Sequence, residues 1–496
     1  ITKSAMDTQG TLISGGGGTQ DLGFGSARYG GKIGDDAYYR VYGTYEAHAP
    51  TELSNGNDAD NSWQLARAGF RTDWNKSPDN LLTLQGDGYW GAIREVFATY
   101  DPANFPTFTD TVHDQMNVDG ANILGRWTRT LSDTANFQLQ AYYDFTGRTA
   151  PHVFDENRHT IDLSFQNQFA ILERNEMIWG LGYRLTTDDE QNTPGIMFNP
   201  QDKTLNLFSG FVQDELTLIK DRLSVTFGTK LERNDYTGFE VEPGARILWT
   251  PNDRHTFWAS VSRAVRTPTR SQEDVTVSTS PAPTITATTD SNKDYESEAL
   301  IAYEIGYRTT PLKNLSLDLA AFYNDYSRLG SIDVVNPFPP VLVQSNNLAG
   351  TTYGAEATAT WRVTDNFRLM PAYTFLEMHL HARSPGVPTS NVAEVEGESP
   401  EQQFSLRSSL DLPHDITLDT ALRWVDSLSF PQQATGVPSY FEFDARLAWQ
   451  INKHWQAAIV GQNLLHPQHQ EFTPTDIQFQ QTAIPRSIYA KLTVTF

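Results

Sequence analysis

The chain has 496 residues, with 37 Lys and Arg against 60 Asp and Glu, a formal charge of −23. That balance argues against nucleic acid, which needs a basic face, and the absence of cysteine excludes disulfide scaffolds, zinc–thiolate sites, iron–sulfur clusters and thiol catalysis. No stretch of about eighteen apolar residues occurs, so no membrane-spanning helix is expected. The negative mean hydropathy does not distinguish a soluble chain from a barrel with a wet interior, because only alternate residues of a barrel strand face lipid. Periodicity has to decide.

In chain order, the signal is a succession of alternating segments bounded by turn residues. After Asn80, one face carries Leu82, Leu84, Gly86, Gly88 and Trp90, and the other Thr83, Gln85, Asp87 and Tyr89. Ala245, Ile247 and Trp249 alternate before a tight turn, and Phe257, Ala259 and Val261 alternate after it. Leu315, Leu317, Leu319, Ala321 and Tyr323 repeat the pattern. The C-terminal segment is the clearest: Ile488, Ala490, Leu492, Val494 and Phe496 on one side, and Tyr489, Lys491, Thr493 and Thr495 on the other. Period two is the mark of strands with one greasy face.

The connections alternate too. Short ones are Gly34-Asp35-Asp36, Ser132-Asp133-Thr134, Lys220-Asp221-Arg222, Pro251-Asn252-Asp253-Arg254, Thr364-Asp365-Asn366, Pro413-His414-Asp415 and Asn452-Lys453-His454. These have the composition and length of hairpin turns. Between them lie long polar or Pro-rich stretches at 50–61, 96–117, 188–202, 266–294, 331–343, 382–402 and 466–486. An array of soluble β-domains would show repeated blade motifs, and none is visible. The expected fold is all-β: a transmembrane antiparallel up-and-down barrel of about 22 strands, with short periplasmic turns, long extracellular loops and both termini on the short-turn side. Barrels of that size have plugged lumens.

Several strings, in order, resemble the β-barrel of TonB-dependent outer-membrane receptors. They are Gly15-Gly16-Gly17-Gly18-Thr19, Tyr29-Gly30-Gly31-Lys32, Tyr38-Tyr39-Arg40-Val41-Tyr42, Ser209-Gly210-Phe211-Val212-Gln213-Asp214-Glu215, Ser262-Arg263-Ala264-Val265-Arg266-Thr267-Pro268, Tyr303-Glu304-Ile305-Gly306-Tyr307, Tyr353-Gly354-Ala355-Glu356, Gly461-Gln462-Asn463-Leu464-Leu465 and the terminal Phe496, which resembles the family's membrane-assembly signal. The resemblance implies a plug domain, a TonB box and a signal peptide, none of which precedes Ile1 in this sequence. Residues 1–9 are therefore expected to be the remnant of a plug-to-barrel connection, and 10–496 the barrel. It further implies a Gram-negative outer membrane, a monomer set among lipid and lipopolysaccharide, and uptake of a scarce ligand, a ferric siderophore or similar metal chelate, energised by the TonB–ExbB–ExbD complex through the plug and box. A passive diffusion pore and a surface-binding barrel are the alternatives. No cofactor is expected, and no nucleophile elbow, zinc-protease helix or phosphate loop suggests an enzyme.

Loop position and residue type nominate ligand contacts. Aromatic and Arg side chains suit anionic, ring-bearing chelates, which points to Arg94, Tyr100, Phe105 and Phe108 around the first large loop, Arg266 and Arg270 at the start of the longest, and Phe338 in a Pro-rich one. Glu377, His379 and His381 share one parity, opposite Leu376, Met378 and Leu380. That parity is expected to face the lumen, where two imidazoles and a carboxylate suit a transition metal.

Overall fold

The computed structural model describes residues 3–282, 285–384, 392–429, 436–472 and 481–496. Twenty-two strands form one ring. They are β1 (Gly10–Gly18), β2 (Asp21–Ile33), β3 (Ala37–His48), β4 (Trp63–Ser77), β5 (Asn80–Tyr100), β6 (Thr109–Ser132), β7 (Ala135–Ala150), β8 (Phe154–Leu172), β9 (Asn175–Gln191), β10 (Asp202–Ile219) and β11 (Leu223–Asn234) in the first half. The second half comprises β12 (Gly238–Asn252), β13 (His255–Arg266), β14 (Glu298–Leu312), β15 (Leu315–Pro337), β16 (Pro340–Thr364), β17 (Phe367–Ala382), β18 (Gln402–Leu412), β19 (Ile416–Val425), β20 (Tyr440–Gln450), β21 (Trp455–Gln462) and β22 (Ser487–Thr495). Each pairs antiparallel with its sequence neighbours, and β1 closes the ring on β22, from Leu12↔Thr495 to Gly18↔Tyr489. The Thr11 N–H donates to the Phe496 carbonyl, and the Phe496 N–H to that of Thr11, both at 2.9 Å.

At this seam the glycines of β1 are required by close approach. A Cβ on Gly16 would lie 2.2 Å from the Ala490 carbonyl oxygen and 2.4 Å from the Phe24 ring. Phe24 and Tyr489 meet edge to face across β1, with centroids 5.6 Å apart.

The packing is inside out relative to a soluble protein. Leu181, Phe227 and Ile305 are each more than half exposed on the outer wall, whereas the largest fully buried side chains include Glu442, Asp73 and Asp274. Such an exterior is stable only against hydrocarbon. The inner wall carries ion pairs within and across strands instead: Arg67–Asp87 at 2.8 Å, Arg184–Asp162 at 3.0 Å, and Lys230 between Glu232 and Glu242 at 2.6 and 3.1 Å.

At the short-turn end the chain reverses in two to four residues, with left-handed positions supplied by Gly34, Asp221, His414 and Asp415. The segment preceding β1 folds against the inner wall here. Asp73, 1% exposed, accepts from the Ala5 N–H at 2.7 Å, the Thr83 hydroxyl at 2.7 Å, the Ser4 hydroxyl at 3.1 Å and Arg71 Nε at 2.8 Å. Gly30 makes room, since a Cβ there would lie 2.1 Å from the Thr8 carbonyl oxygen.

The opposite end differs from the expected set of long loops. Residues 331–343 are not a loop: β15 and β16 continue as a hairpin whose tip is Phe338-Pro339. Likewise β5 and β6 run on through much of 96–117, leaving only 101–108 as the tip. Strand pairing satisfies the backbone of such extensions beyond the membrane without needing an apolar face. Three connections on this side, at 19–20, 151–153 and 235–237, are tight. The 267–297 connection carries a helical turn, Arg270–Glu273, and the two short strands Val275–Ala282 and Ile285–Asp290. Parts of the expected 382–402 and 466–486 loops, at 385–391 and 473–480, lie outside the described residues.

Candidate functional site at the outer rim

The long-loop end is organised by charge. In the 267–297 connection, the Thr269 N–H donates to the Gln272 side chain at 2.9 Å and starts the helical turn. That turn delivers Arg270 and Asp274 into a buried hub. Arg270, 6% exposed, pairs with Asp188 and with Asp274 (3.3 Å), donates to the backbone carbonyls of Pro200 and Gln201 (the latter at 3.0 Å), and lies 5.1 Å from the centre of the Phe198 ring. Asp274 also takes Lys203 at 2.6 Å and Lys293 at 2.5 Å, and accepts from the Tyr236 hydroxyl at 3.4 Å. Against the upward push of burial, the two lysines hold its carboxyl below the usual range. Beside it, burial pushes the Glu273 carboxyl up to about 7, against the pull of Lys203 and with the push of Asp274. Burial together with the Asp274 charge raises the Tyr236 phenol.

Arg270 is therefore a structural staple: every direction of its guanidinium is already taken, so it does not belong to a ligand-facing surface. Arg266 is more exposed, but its guanidinium grips Glu298, with Nε at 2.8 Å. Glu298 in turn accepts from the Tyr295 hydroxyl at 3.3 Å and the Gly330 N–H at 2.8 Å. Arg94 pairs with Asp60 at 2.9 Å, and His113 approaches the same carboxylate at 3.2 Å. Hydrogen bonds from His113 and Arg94 hold Asp60 low.

Three of the nominated aromatics do come together. At the β5–β6 tip, Phe108 lies 6.3 Å from Tyr100 and 5.7 Å from Phe105, centroid to centroid. Phe105 is 73% exposed. The Ser280 hydroxyl braces this tip by donating to the Thr107 carbonyl at 2.6 Å. Phe338, 76% exposed, stands apart at the β15–β16 tip.

The Glu377, His379 and His381 expectation needs correction. Register places Glu377 opposite Tyr353, Tyr353 opposite Tyr323, and Tyr323 opposite Tyr303. All three tyrosines lie on the exposed outer face. The His/Glu parity thus points outward, and Leu376, Met378 and Leu380 point to the lumen side. His379 Nε2 comes within 3.7 Å of Glu377, and its ring lies beside Tyr353. Among the described residues no group of three or more His, Cys, Asp or Glu is placed to hold a metal ion.

One cluster escaped the sequence reading. Glu442 on β20 is 1% exposed, and His466 Nδ1 approaches it at 2.7 Å. His469 bridges Glu442 (3.4 Å) and Glu471 (2.8 Å), and Arg423 on β19 also reaches Glu471 at 3.0 Å. Hydrogen bonding from His469 and the Arg423 charge hold Glu471 low against burial. The His466-Pro467-Gln468-His469 spacing was the available signal. The cluster pins the last long connection to the strands below it.

Chemically, the rim offers exposed aromatic rings and cations that are largely neutralised. It is suited to stacking on a ligand more than to pairing with a bare anion.

A family model of TonB-dependent receptor-like β-barrels matches residues 6–464. No curated protein sequence matches. Among solved structures, the siderophore receptor PirA from Acinetobacter baumannii is similar with a TM-score of 0.80 at 14% identity, over 100% of this chain and 81% of that one. A mutant of the ferric enterobactin receptor PfeA from Pseudomonas aeruginosa gives 0.79 at 13% identity, over 100% and 81%. The FrpB iron transporter from Neisseria meningitidis gives 0.78 at 11% identity, over 100% and 83%. At these identities the likeness is one of fold.

Proposed function

Because the chain belongs to the TonB-dependent receptor β-barrel family, we propose that it is the barrel of a Gram-negative outer-membrane receptor for energised uptake of a ferric siderophore or similar metal chelate. In this reading a plug and TonB box N-terminal to the barrel couple it to TonB–ExbB–ExbD, and residues 1–9 lead from plug to barrel. The observation that carries the reading is the closed ring itself: apolar outside, ion-paired inside, and crowned at one end by braced connections. The similarity to siderophore receptors and an iron transporter supports the ligand class.

Tyr100, Phe105, Phe108 and Phe338 are the ligand contacts we retain, with Arg94 and Arg266 available only if a chelate displaces Asp60 or Glu298. Rings that stack on a planar or aromatic chelate gain affinity without a free cation. Loops on a rigid wall are where such specificity is placed.

The test is growth of a receptor-null strain on a panel of ferric siderophores, cobalamin and oligosaccharides, complemented with the full-length gene. Iron-limited growth restored by one or more chelates, and lost when TonB is deleted, supports the proposal. Growth independent of TonB would favour a passive pore. With the chelate so identified, alanine at Tyr100, Phe105 and Phe108 together should weaken binding at least tenfold, given about 0.5–1.5 kcal/mol for each aromatic contact.

A further inference from the structure

A second fastening lies above the β1–β22 seam, at the long-loop end. The β21–β22 connection supplies Gln468-His469 and Thr482–Pro485, and the β3–β4 connection supplies Glu52-Leu53. The three form a small sheet, with His469 opposite Ile484, Thr482 opposite Leu53 and Ala483 opposite Glu52. In ring order β22, β1, β2 and β3 stand between the roots of these two connections, so the sheet bridges the seam. The tight turn beneath is tied in at both sides: the Thr19 N–H donates to the Ile488 carbonyl at 3.0 Å, and the Ala49 N–H to the Gln20 carbonyl at 2.9 Å. Strand pairs this short are marginal by themselves, so the charges at the root of the sheet decide whether it holds.

His469 sits at that root with a carboxylate at each ring nitrogen. Its Nε2 lies 2.8 Å from Glu471, and its Nδ1, buried and without a formed hydrogen bond, lies 3.4 Å from Glu442. A neutral imidazole has one N–H, so it satisfies one of these carboxylates and turns a lone pair on the other; the imidazolium donates to both. The surrounding groups demand the proton. The Glu442 side chain is fully buried, and besides His469 it meets His466 Nδ1 at 2.7 Å and the Leu465 N–H at 3.4 Å. Arg423 on β19 is taken by Glu471 and the Asn463 side chain. Glu471, held low by the His469 hydrogen bond and the Arg423 charge against burial, is a full anion near neutrality. From β20, burial and the Glu471 charge push the Tyr440 phenol up to about 12, so it brings no charge, and Asp444 accepts from the Asn463 N–H at 2.9 Å. Arg486 is exposed and makes no ion pair among the described residues. Two carboxylates thus share one guanidinium, and an imidazolium completes the balance.

We propose that His469 is a proton-operated pin: protonated, it joins Glu442 to Glu471 and holds the small sheet across the seam; neutral, it gives up one of the two and the sheet loosens. Imidazoles change charge between about pH 5 and 8, so the outer end of the seam is tied in mildly acidic surroundings and freed in alkaline ones. The switch follows from the barrel's geometry and is independent of what the receptor imports.

The test is hydrogen exchange of the full-length receptor in neutral detergent at about pH 5 and about pH 8, read as protection relative to the intrinsic rate at each pH. In wild type, protection at 482–485 should fall about tenfold between the two, the worth of one charge-assisted contact, while β10 and β11 on the far wall hold theirs. His469→Gln should leave 482–485 weakly protected at both values. Glu442→Gln, which removes the buried charge that demands the proton, should keep the protection and flatten the step. His466→Gln should preserve the step, because that ring meets only one of the carboxylates. Equal protection of wild type at both values, a fall shared by β10 and β11, a step that survives in His469→Gln or one that vanishes in His466→Gln would each overturn the proposal.

Discussion

The two ends of the barrel are built by different physics. At the short-turn end, structure is local: a strand stops, two to four residues with Asp, Asn, Gly or Pro reverse the chain, and the next strand begins. Long-range contacts there include the docking of Ser4 and Ala5 on Asp73 and the backbone pair of Thr11 and Phe496. At the long-loop end, structure is made by side chains far apart in sequence. Asp274 gathers Lys203, Tyr236, Arg270 and Lys293, and Glu442 gathers His466 and His469. A local design tolerates single substitutions, because each turn stands alone. A hub does not, because one buried carboxylate neutralises several cations at once.

This contrast can be broken experimentally. The largest effect is expected at Asp274→Ala, which strands Lys203, Lys293 and Arg270 without a shared counter-ion and should cost the 267–297 connection about 3–5 kcal/mol of local stability. Limited proteolysis should then cut within that connection while the barrel's melting temperature holds; if cleavage stays at the wild-type rate, the hub does not organise the rim. Next is Asp73→Ala, at about 2–3 kcal/mol, because Arg71 loses a carboxylate partner and the Ala5 N–H and Thr83 hydroxyl lose their buried acceptor. Hydrogen exchange in residues 3–9 should become fast with the rim unchanged.

A smaller effect is pH-dependent and confined to the rim. The folded Glu273 carboxyl titrates near 7 against an ordinary 4.5, so the folded state binds the extra proton between those values. Its contribution is fully present below about pH 4.5 and is lost as pH climbs toward 7. Asp274, held low, stays ionised across that range. Proteolysis of the 267–297 connection should therefore be slower at pH 5 than at pH 8, and Glu273→Gln should flatten the difference. The smallest effect belongs to Asp365→Ala in the exposed turn between β16 and β17, at under about 0.5 kcal/mol in chemical unfolding. A large loss there would mean that the short-turn end is less local than its geometry implies.

The same contrast explains what could be read from the residues alone. The walls were legible because lipid on one side and water on the other enforce alternation, as in Leu82, Leu84 and Trp90 against Thr83, Gln85 and Asp87. Strand number, closure and the placement of both termini follow from that pattern and the turns. Past the outer aromatic row, water lies on both sides of a strand, and parity no longer reports direction. Hence alternation alone points the Glu377, His379 and His381 set to the lumen and Leu376, Met378 and Leu380 away from it, whereas register reverses the two. The Pro-rich 331–343 stretch misled for a related reason: a hairpin above the membrane needs paired backbone but no greasy stripe. Arg270 was indistinguishable in sequence from a free rim cation, because its partners at 188, 200 and 201 come from the β9–β10 region.

The seam between β1 and β22 carries a further consequence. Its partners, Leu12 and Thr495, belong to the first and last strands of the ring, so this is the pairing of highest contact order in the barrel and the entropically most costly to make. During synthesis the first strand must wait, one edge unsatisfied, until every other strand has been made. An unsatisfied edge recruits wrong partners. Four consecutive glycines, poor in intrinsic β-propensity, make β1 a weak template for such errors, while leaving room for the Ile488–Ala490 backbone when the correct neighbour finally arrives.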